Sequence, residues 1–236
     1  MNYSKNSTTS TLRTISRISI IIPALNEEKN IISLAENLGS GHEIILVDGG
    51  SSDRTVELAV EHGFKVITST PGRGCQQNEG ARHAHGEILL FLHADTRLPP
   101  NFAITVQQTM QNTHCIAGAF SLAIARPTTG MRFVTACTNL RSRYLQLPYG
   151  DQAIFMQKKI FVALGMFPEI PIMEDYVLVR RARKKGRIVT LTEKVETSAR
   201  RWRRLGVVQT TCINQLVLLG FICKVPIQTL ASFYRR

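Results

Sequence analysis

Ile44-Ile45-Leu46-Val47-Asp48-Gly49-Gly50-Ser51-Ser52-Asp53 is the stretch from which the rest of the sequence can be read. Four apolar residues in a row, Ile44 to Val47, are the pattern of a parallel strand buried on both faces. The run stops at a carboxylate, Asp48. Gly49 and Gly50 let the backbone turn tightly, since neither carries a Cβ that would clash. Asp53 stands where a helix cap belongs, ahead of Arg54, Thr55 and the apolar positions Val56, Ala59 and Val60. Strand, acidic tip, turn and helix put Asp48 in the crevice at the carboxyl end of a parallel strand, where open α/β sheets bind ligands. Taken alone, the stretch is equally a βα turn with a capping aspartate and nothing more.

Working outward, Ile18 to Ile22 is a β-rich run ended by Pro23 and Asn26. Asn26 is placed to cap a helix with Glu27 and Glu28 in its first turn and Ile31, Ile32, Leu34, Ala35 and Leu38 on its apolar face. Gly39 and Gly41 stop that helix. Phe64 to Thr68 reads as a third strand, so the first third alternates βαβαβ, the pattern of a parallel sheet. After a Pro71–Gly74 loop, a helix runs through Asn78, Ala81 and Ala84. Glu87 to Leu92 is a second continuous apolar strand, and it ends in His93-Ala94-Asp95-Thr96. Pro99-Pro100 opens the next helix. Asp48 and Asp95 are therefore expected at one sheet edge. Two acidic tips there repel each other and any phosphate unless a divalent cation lies between them, and Mg²⁺ or Mn²⁺ with a diphosphate completing its shell suits such a site.

Beyond residue 114 the alternation fades. Residues 117–125 and 153–156 read as strands, 134–147 as a helix bearing Arg141 and Arg143, and 161–167 as an apolar stretch. A helix starting near Ile172 and ending near Lys185 carries Glu174 and Asp175 at its positive end. Arg180, Arg181, Arg183, Lys184, Lys185 and Arg187 read as a solvated helix face. Arg200, Arg201, Arg203 and Arg204 surround Trp202, the only tryptophan, a combination suited to clamping a diphosphate. Leu205, Val208, Cys212, Leu216, Leu219 and Ile222 then form a helical stripe. The stripe is read as packing on the core, with contact to an anionic membrane surface as the alternative.

The 236 residues suit one sizeable domain with an elaborated end, and a 44% hydrophobic content fills a normal core. The net charge of +12 favours anionic partners. Five scattered cysteines, none at metal-finger spacing, point to reduced thiols and a cytoplasmic location, peripheral at the inner membrane face if the basic C-terminal region touches lipid. Residues 1–16, rich in Ser, Thr and Asn, read as a disordered tail. The continuous apolar core of the last candidate span, Leu216 to Cys223, is only about two turns of helix, so no transmembrane helix is expected. Nucleic acid is disfavoured as a partner, because aromatic residues do not interleave the basic runs beyond Trp202.

Several of these motifs resemble glycosyltransferase family 2. They are Ile21-Ile22-Pro23-Ala24-Leu25-Asn26-Glu27-Glu28, Val47 to Asp53, Asn78-Glu79-Gly80-Ala81, Phe91-Leu92-His93-Ala94-Asp95 and Glu174-Asp175, in that order, with the similarity running from residue 18 to about 204. The resemblance implies a GT-A-type fold: a single α/β domain over 17–204 with a mostly parallel central sheet flanked by helices, followed by a C-terminal helical extension over 205–236. His93 to Pro99 and Gly150-Asp151-Gln152 are similar, more narrowly, to the radical-SAM/selenodomain-associated (arsenosugar-biosynthesis) glycosyltransferases. The family implies an inverting, hexosyltransferase-like enzyme using a UDP- or GDP-sugar, a divalent metal and an acceptor that the motifs do not specify. It puts Pro23, Leu25, Glu27, Asp48, Arg73, Asn78, Gly80 and Ala94 beside the donor. Asp95, with His93 where many relatives carry another Asp, would hold the metal. Asp175, next to Glu174, would be the general base, and Asp151, Arg200, Arg201 and Trp202 would serve the diphosphate or acceptor. Ser198 stands where the processive relatives' QxxRW signature has Gln, which argues against processive polymerisation. The rival readings are a nucleotidyltransferase acting on a sugar phosphate, and a non-catalytic basic module that binds RNA or an anionic membrane.

Overall fold

Continuous apolar runs bounded by Gly, Pro and acidic turns become the central strands of one eight-stranded sheet with helices on both faces. The computed structural model describes residues 16–235. The tail expected over residues 1–16 thus falls, apart from Ser16, outside the described residues. The first half comprises β1 (Ile18–Ala24), α1 (Glu28–Leu38), β2 (Glu43–Asp48), α2 (Thr55–Glu61), β3 (Lys65–Thr68), α3 (Arg73–His83), β4 (Ile88–Phe91), β5 (Thr96–Arg97) and α4 (Phe102–Met110). The second half comprises β6 (Cys115–Ile124), α5 (Thr129–Leu145), a 3₁₀ turn (Gly150–Gln152), β7 (Phe155–Gln157), α6 (Lys158–Ala163), α7 (Glu174–Arg183), β8 (Arg187–Thr197), α8 (Arg200–Leu205), α9 (Val207–Ile222) and α10 (Ile227–Arg235).

The strand order is β3-β2-β1-β4-β7-β6-β8-β5. The first four strands pair in parallel, as the βαβ alternation requires. β7 runs against both β4 and β6, and β6 pairs in parallel with β8. Successive side chains of β1 and β2 point to opposite faces, and both faces are covered. Ile20, Ile22 and Leu46 meet α1 and α4 side chains such as Ile31, Leu34 and Val106. Ile21, Ile45 and Val47 meet Ala81, Phe161, Leu178 and Val179 on the other side. That double burial is why these strands read as unbroken apolar runs.

Four expectations change. β1 continues through Pro23 to Ala24 instead of ending before it. β4 pairs with β1 only as far as Ile21, so the N–H that Pro23 lacks falls beyond the last ladder position. Asn26 does not cap α1; it adopts φ 54°, donates its N–H to Ser51 Oγ at 2.9 Å and accepts the Ser52 N–H through Oδ1 at 2.9 Å. Asp53 supplies the missing cap from the neighbouring turn, accepting the Glu28 N–H at 3.2 Å and the Thr55 N–H at 3.0 Å, so the two acidic turns brace each other. The strand β8 was not anticipated at all.

The fourth change concerns α9. The stripe expected to pack on the core faces outward: Val208 is 76% exposed and Leu219 57%. The buried face is Thr210, Ile213 and Val217, and Thr210 can turn inward because its hydroxyl donates back to the Gly206 carbonyl at 2.7 Å. The first basic run is solvent-facing as expected except for Arg181, whose guanidinium donates to the carbonyls of Leu164 and Met166 after α6. All five cysteines are free. Among the described residues no helix is long and apolar enough to cross a membrane.

Gly80 marks where α3 presses on the sheet. A Cβ there would lie 2.5 Å from Ile21 Cγ2 and 3.0 Å from Val47 Cγ2. Alanine gains up to ~1 kcal/mol of helix propensity over glycine, but overpacking a full interface costs about 1–3 kcal/mol. Gly80→Ala is therefore expected to lower the urea midpoint, and an unchanged or higher midpoint would contradict this packing.

Candidate active site

The parallel strands end together, and β1 lies between β2 and β4, so Asp48 and Asp95 do share one sheet edge. Their carboxylates do not converge. Asp48 is turned into its own loop, where Oδ2 accepts the Gly50 N–H at 2.9 Å and both oxygens accept the Ser51 N–H at 3.1 Å. It is only 4% exposed and does not line the cavity beside Asp95. Beneath it, the buried Gln76 amide donates to the carbonyls of Ala24 at 2.9 Å and Val47 at 2.7 Å, closing the ends of β1 and β2. At Asp48 the repulsion expected between the two acidic tips is answered by the backbone N–H groups of its own turn.

The carboxyl groups that do join Asp95 come from the second half of the chain. A cavity of about 240 Å³ is lined by Arg73, His93, Asp95, Asp151, Glu174 and Asp175, and is closed by Arg201, Trp202, Asn214 and Tyr234 of the C-terminal helices. A larger cavity, about 760 Å³, opens elsewhere beside Gly86, Gln107 and Lys158, among none of these acidic residues. Polar lining, convergent charge and perturbed acids make the smaller cavity the candidate site.

Each acid is fixed by a different local device. Met173, at φ 68°, breaks the chain direction so that Glu174 and Asp175 open α7. Asp175 Oδ1 accepts the Tyr176 N–H at 2.7 Å, and Oδ2 accepts the Gly150 N–H at 2.6 Å. A Cβ on Gly150 would lie 3.2 Å from both Asp175 Oδ2 and His93 Nε2, so the absent side chain leaves the gap between them open. Glu174 is 5% exposed, with Arg73 no nearer than 3.9 Å. Burial first, then the Asp175 charge, pushes its pKa up to about 7. Burial likewise pushes Asp151 up to about 6. Asp95 is raised by burial against the opposing pull of Arg200, whose Nη2 lies 3.6 Å from Asp95 and 3.0 Å from Glu27. His93 is pushed down to about 3 by burial and by the Arg73 charge, so it is a neutral imidazole.

The remaining expected residues divide. Glu27 reaches the site through Arg200. Arg201 stacks 3.8 Å over Tyr234 and donates to its carbonyl at 3.1 Å, and Trp202 packs on Ile124, Met131 and Ala199 while lining the cavity. Asn78 and Gly80 are spent on packing. Both ends of the Asn78 amide bind the Phe167 backbone, at 2.9 and 3.0 Å, and Gly80 meets Ile21 and Val47. Pro23, Leu25 and Ala94 lie on or after β1 and β4 but do not line this cavity. Sequence reasoning missed Asn214, Gly150 and the Arg141–Tyr149 stack at 3.5 Å. Asn214 left little signal, since Gln209 and Gln215 stand in the same helix. Among the described residues, four buried side-chain polar atoms have no hydrogen-bond partner: Arg141 Nη2, Asp151 Oδ1, Arg201 Nε and Asn214 Oδ1. The last three belong to residues lining the cavity, as expected where a polar ligand completes the network.

No three His, Cys, Asp or Glu side chains among the described residues are grouped to hold a metal by themselves. The donors present are the Asp95 carboxylate and the neutral His93 imidazole, although His93 Nε2 faces Gly150 and Asp175. One carboxylate and one imidazole fit a divalent ion that takes most of its shell from a diphosphate.

Residues 19–159 match the family model described as Glycosyl transferase family 2. The undecaprenyl-phosphate 4-deoxy-4-formamido-L-arabinose transferase of Edwardsiella ictaluri (strain 93-146) is 33% identical over 39% of this chain. The match spans only 33% of that relative's length. The enzyme of the same description from Salmonella paratyphi B is 33% identical over 36% of this chain and 31% of its own. S. aureus TarS 1-349 in complex with UDP shares the fold with a TM-score of 0.64 at 20% identity, over 77% of this chain and 60% of that one. Glucosyl-3-phosphoglycerate synthase from Mycobacterium tuberculosis, solved with Mn²⁺, UDP and glucosyl-3-phosphoglycerate, gives 0.63 at 19% identity, over 89% and 81%.

The raised pKa of Glu174 has a stability consequence. Its folded value, about 7, exceeds its ordinary value of 4.5, so the native state holds a proton that the unfolded chain has released. That contribution is full below about pH 4.5 and is lost as pH rises through about 7. Glu174→Gln keeps the neutral shape and removes the titration. Its Tm relative to wild type should therefore climb between pH 5 and 8 in thermal melts, and parallel pH profiles would contradict the assignment.

Proposed function

The chain belongs to glycosyl transferase family 2 and is a transferase enzyme, and from that premise we propose that it moves a sugar from a nucleotide-diphosphate sugar, UDP- or GDP-linked, to an acceptor hydroxyl with inversion. The observation that carries the reading is that Asp175 and Asp95, on separate segments, line one cavity at the carboxyl edge of the parallel strands. In the proposed reaction Asp175 takes the proton of the acceptor hydroxyl. The oxygen attacks the anomeric carbon, the bond from that carbon to the diphosphate oxygen breaks, and the nucleoside diphosphate leaves with the electron pair. One base and no covalent glycosyl-enzyme predict inversion.

The backbone N–H groups of Gly150 and Tyr176 hold the Asp175 carboxylate in place, which is the positioning a general base needs. Arg201, with its unpartnered Nε, and Arg200 supply positive charge for the diphosphate. A divalent Mn²⁺ or Mg²⁺ on Asp95, with His93 available as a neutral nitrogen donor, would neutralise charge on the leaving group when bound. Asp151 and Asn214, each with an unpartnered oxygen, are assigned to the acceptor's hydroxyl groups. Residues 17–204 form the transferase unit in this reading, with 205–236 as the extension that closes its cavity. The donor side takes Pro23, Leu25, Asp48 and Ala94 along the strand ends. The His93–Pro99 and Gly150–Gln152 motifs favour the radical-SAM/selenodomain-associated subfamily. The proposed setting is the cytoplasm, with the basic C-terminal region able to meet an anionic membrane face.

Asp175→Asn is nearly isosteric and cannot accept the proton. It is expected to retain nucleotide binding in a thermal-shift assay and to lose transfer by roughly 10²–10⁴-fold. Asp95→Ala is expected instead to lose the Mn²⁺-dependent part of the shift produced by UDP or GDP. Full turnover in Asp175→Asn, measured as nucleoside diphosphate release, would sink the base assignment.

A further inference from the structure

α9 carries apolar side chains on its outer side as well as its buried one, with Gln215 as the polar residue among the outer ones, yet only one side is covered. At about 100° per residue, Thr210, Ile213 and Val217 centre on the buried face. Val208, Leu216, Leu219 and Ile222 fall within a sector about 120° wide on the opposite side, from 54% to 76% exposed. The neighbouring helix repeats the pattern. α5 touches α9 where Gly130 meets Val207, and it leaves Phe133 71% and Tyr144 72% exposed. Single exposed apolar residues need no explanation, but two adjoining helices that each present an apolar stripe do.

The charge around these stripes selects the occupant. Neither residues 126–148 nor residues 198–236 contain an Asp or Glu. Exposed Arg132 and Arg143 flank the α5 stripe, and exposed Arg203, Arg204 and Lys224 flank α9. A second copy would bring the same uncompensated positive charge against itself. An RNA would meet the arginines and leave the leucines wet. Apolar side chains rimmed by cations alone match a bilayer with anionic headgroups, into which such a helix lies flat. At 16 residues, roughly 24 Å, α9 is suited to lying in the interface and not to crossing it.

We propose that the outer faces of α9 and α5 dock this protein on an anionic membrane surface. The other side of α9 supplies Asn214, Val217 and Leu218 to the cavity wall, so one helix is both membrane contact and cavity wall. Docking holds the cavity at headgroup level and suits an acceptor hydroxyl carried by an amphiphile. That last step rests on the transferase reading; the docking itself does not.

The test is co-sedimentation of the full chain with vesicles of phosphatidylcholine alone and of phosphatidylcholine with phosphatidylglycerol. Wild type is expected to partition onto the anionic vesicles only. Leu216→Ser and Leu219→Ser together replace exposed side chains, so the thermal midpoint should hold, while partitioning should fall roughly tenfold for each leucine removed. No binding of wild type, or equal binding of the double variant with its midpoint unchanged, would overturn the proposal. A dimer in sedimentation velocity without vesicles, abolished by the same substitutions, would assign the face to a second copy and overturn it too. The UDP thermal shift reports separately on the cavity and should survive both substitutions.

Discussion

Four carboxyl groups, Asp95, Asp151, Glu174 and Asp175, face one small cavity, and their mutual repulsion in a partly dehydrated space is the constraint that the surrounding structure answers. Backbone N–H groups hold Asp175, burial raises the pKa values of Glu174 and Asp151, and arginines stand beside Asp95 and Glu174. The arginines come from both ends of the fold. Arg73 opens α3 in the parallel half, whereas Arg200 and Arg201 sit on α8. Arg200 links Glu27 at the start of α1 to Asp95 after β4, so the seating of the C-terminal helices is tied to the charge balance of the cavity. A chain with a net charge of +12 thus keeps an acidic interior and a basic exterior.

How much of this was legible in the sequence follows from what kind of information each feature needs. β1, β2 and β4 were readable because burial on both faces demands unbroken apolar runs, and Glu174-Asp175 was readable as an acidic helix start. β8 was not, because its pairing with β6 shifts register between Cys115 and Ala117 and again between Ala119 and Ser121, which spoils the alternation expected of a strand. The sheet edge that carries Asp48 and Asp95 was readable from strand order. The direction of the Asp48 side chain was not, since it depends on the Gly50 and Ser51 N–H groups that the turn happens to present. Asn78 shows the same limit: the resemblance puts it beside the donor, but the amide's commitment to the Phe167 backbone is a contact across the fold.

α9 is the sharper case. Periodicity identified the stripe from Val208 to Ile222 correctly and assigned it to the wrong side. In a helix with apolar residues on opposite sides, spacing defines faces without ranking them, and the choice falls to whichever face its neighbours can cover. Here the neighbours are α8, α10, the start of α5 and the cavity, and the side left buried carries Thr210, Ile213 and Val217. The self-satisfied Thr210 hydroxyl makes that side cheap to bury.

His93 follows from the same charge balance. A fifth carboxylate at that position would add a negative charge to a cavity in which burial already raises the pKa values of Asp95, Asp151 and Glu174. An imidazole held neutral by burial and by Arg73 offers a nitrogen lone pair without that charge. It stands across the gap left by Gly150 from the Asp175 carboxylate, so it faces the Asp175 side of the cavity as well as lining it with Asp95. The neutral His93 therefore belongs with the raised pKa of Glu174 and the Arg200–Asp95 contact. All three lower the negative charge inside the cavity, which suits the anionic donor proposed for it.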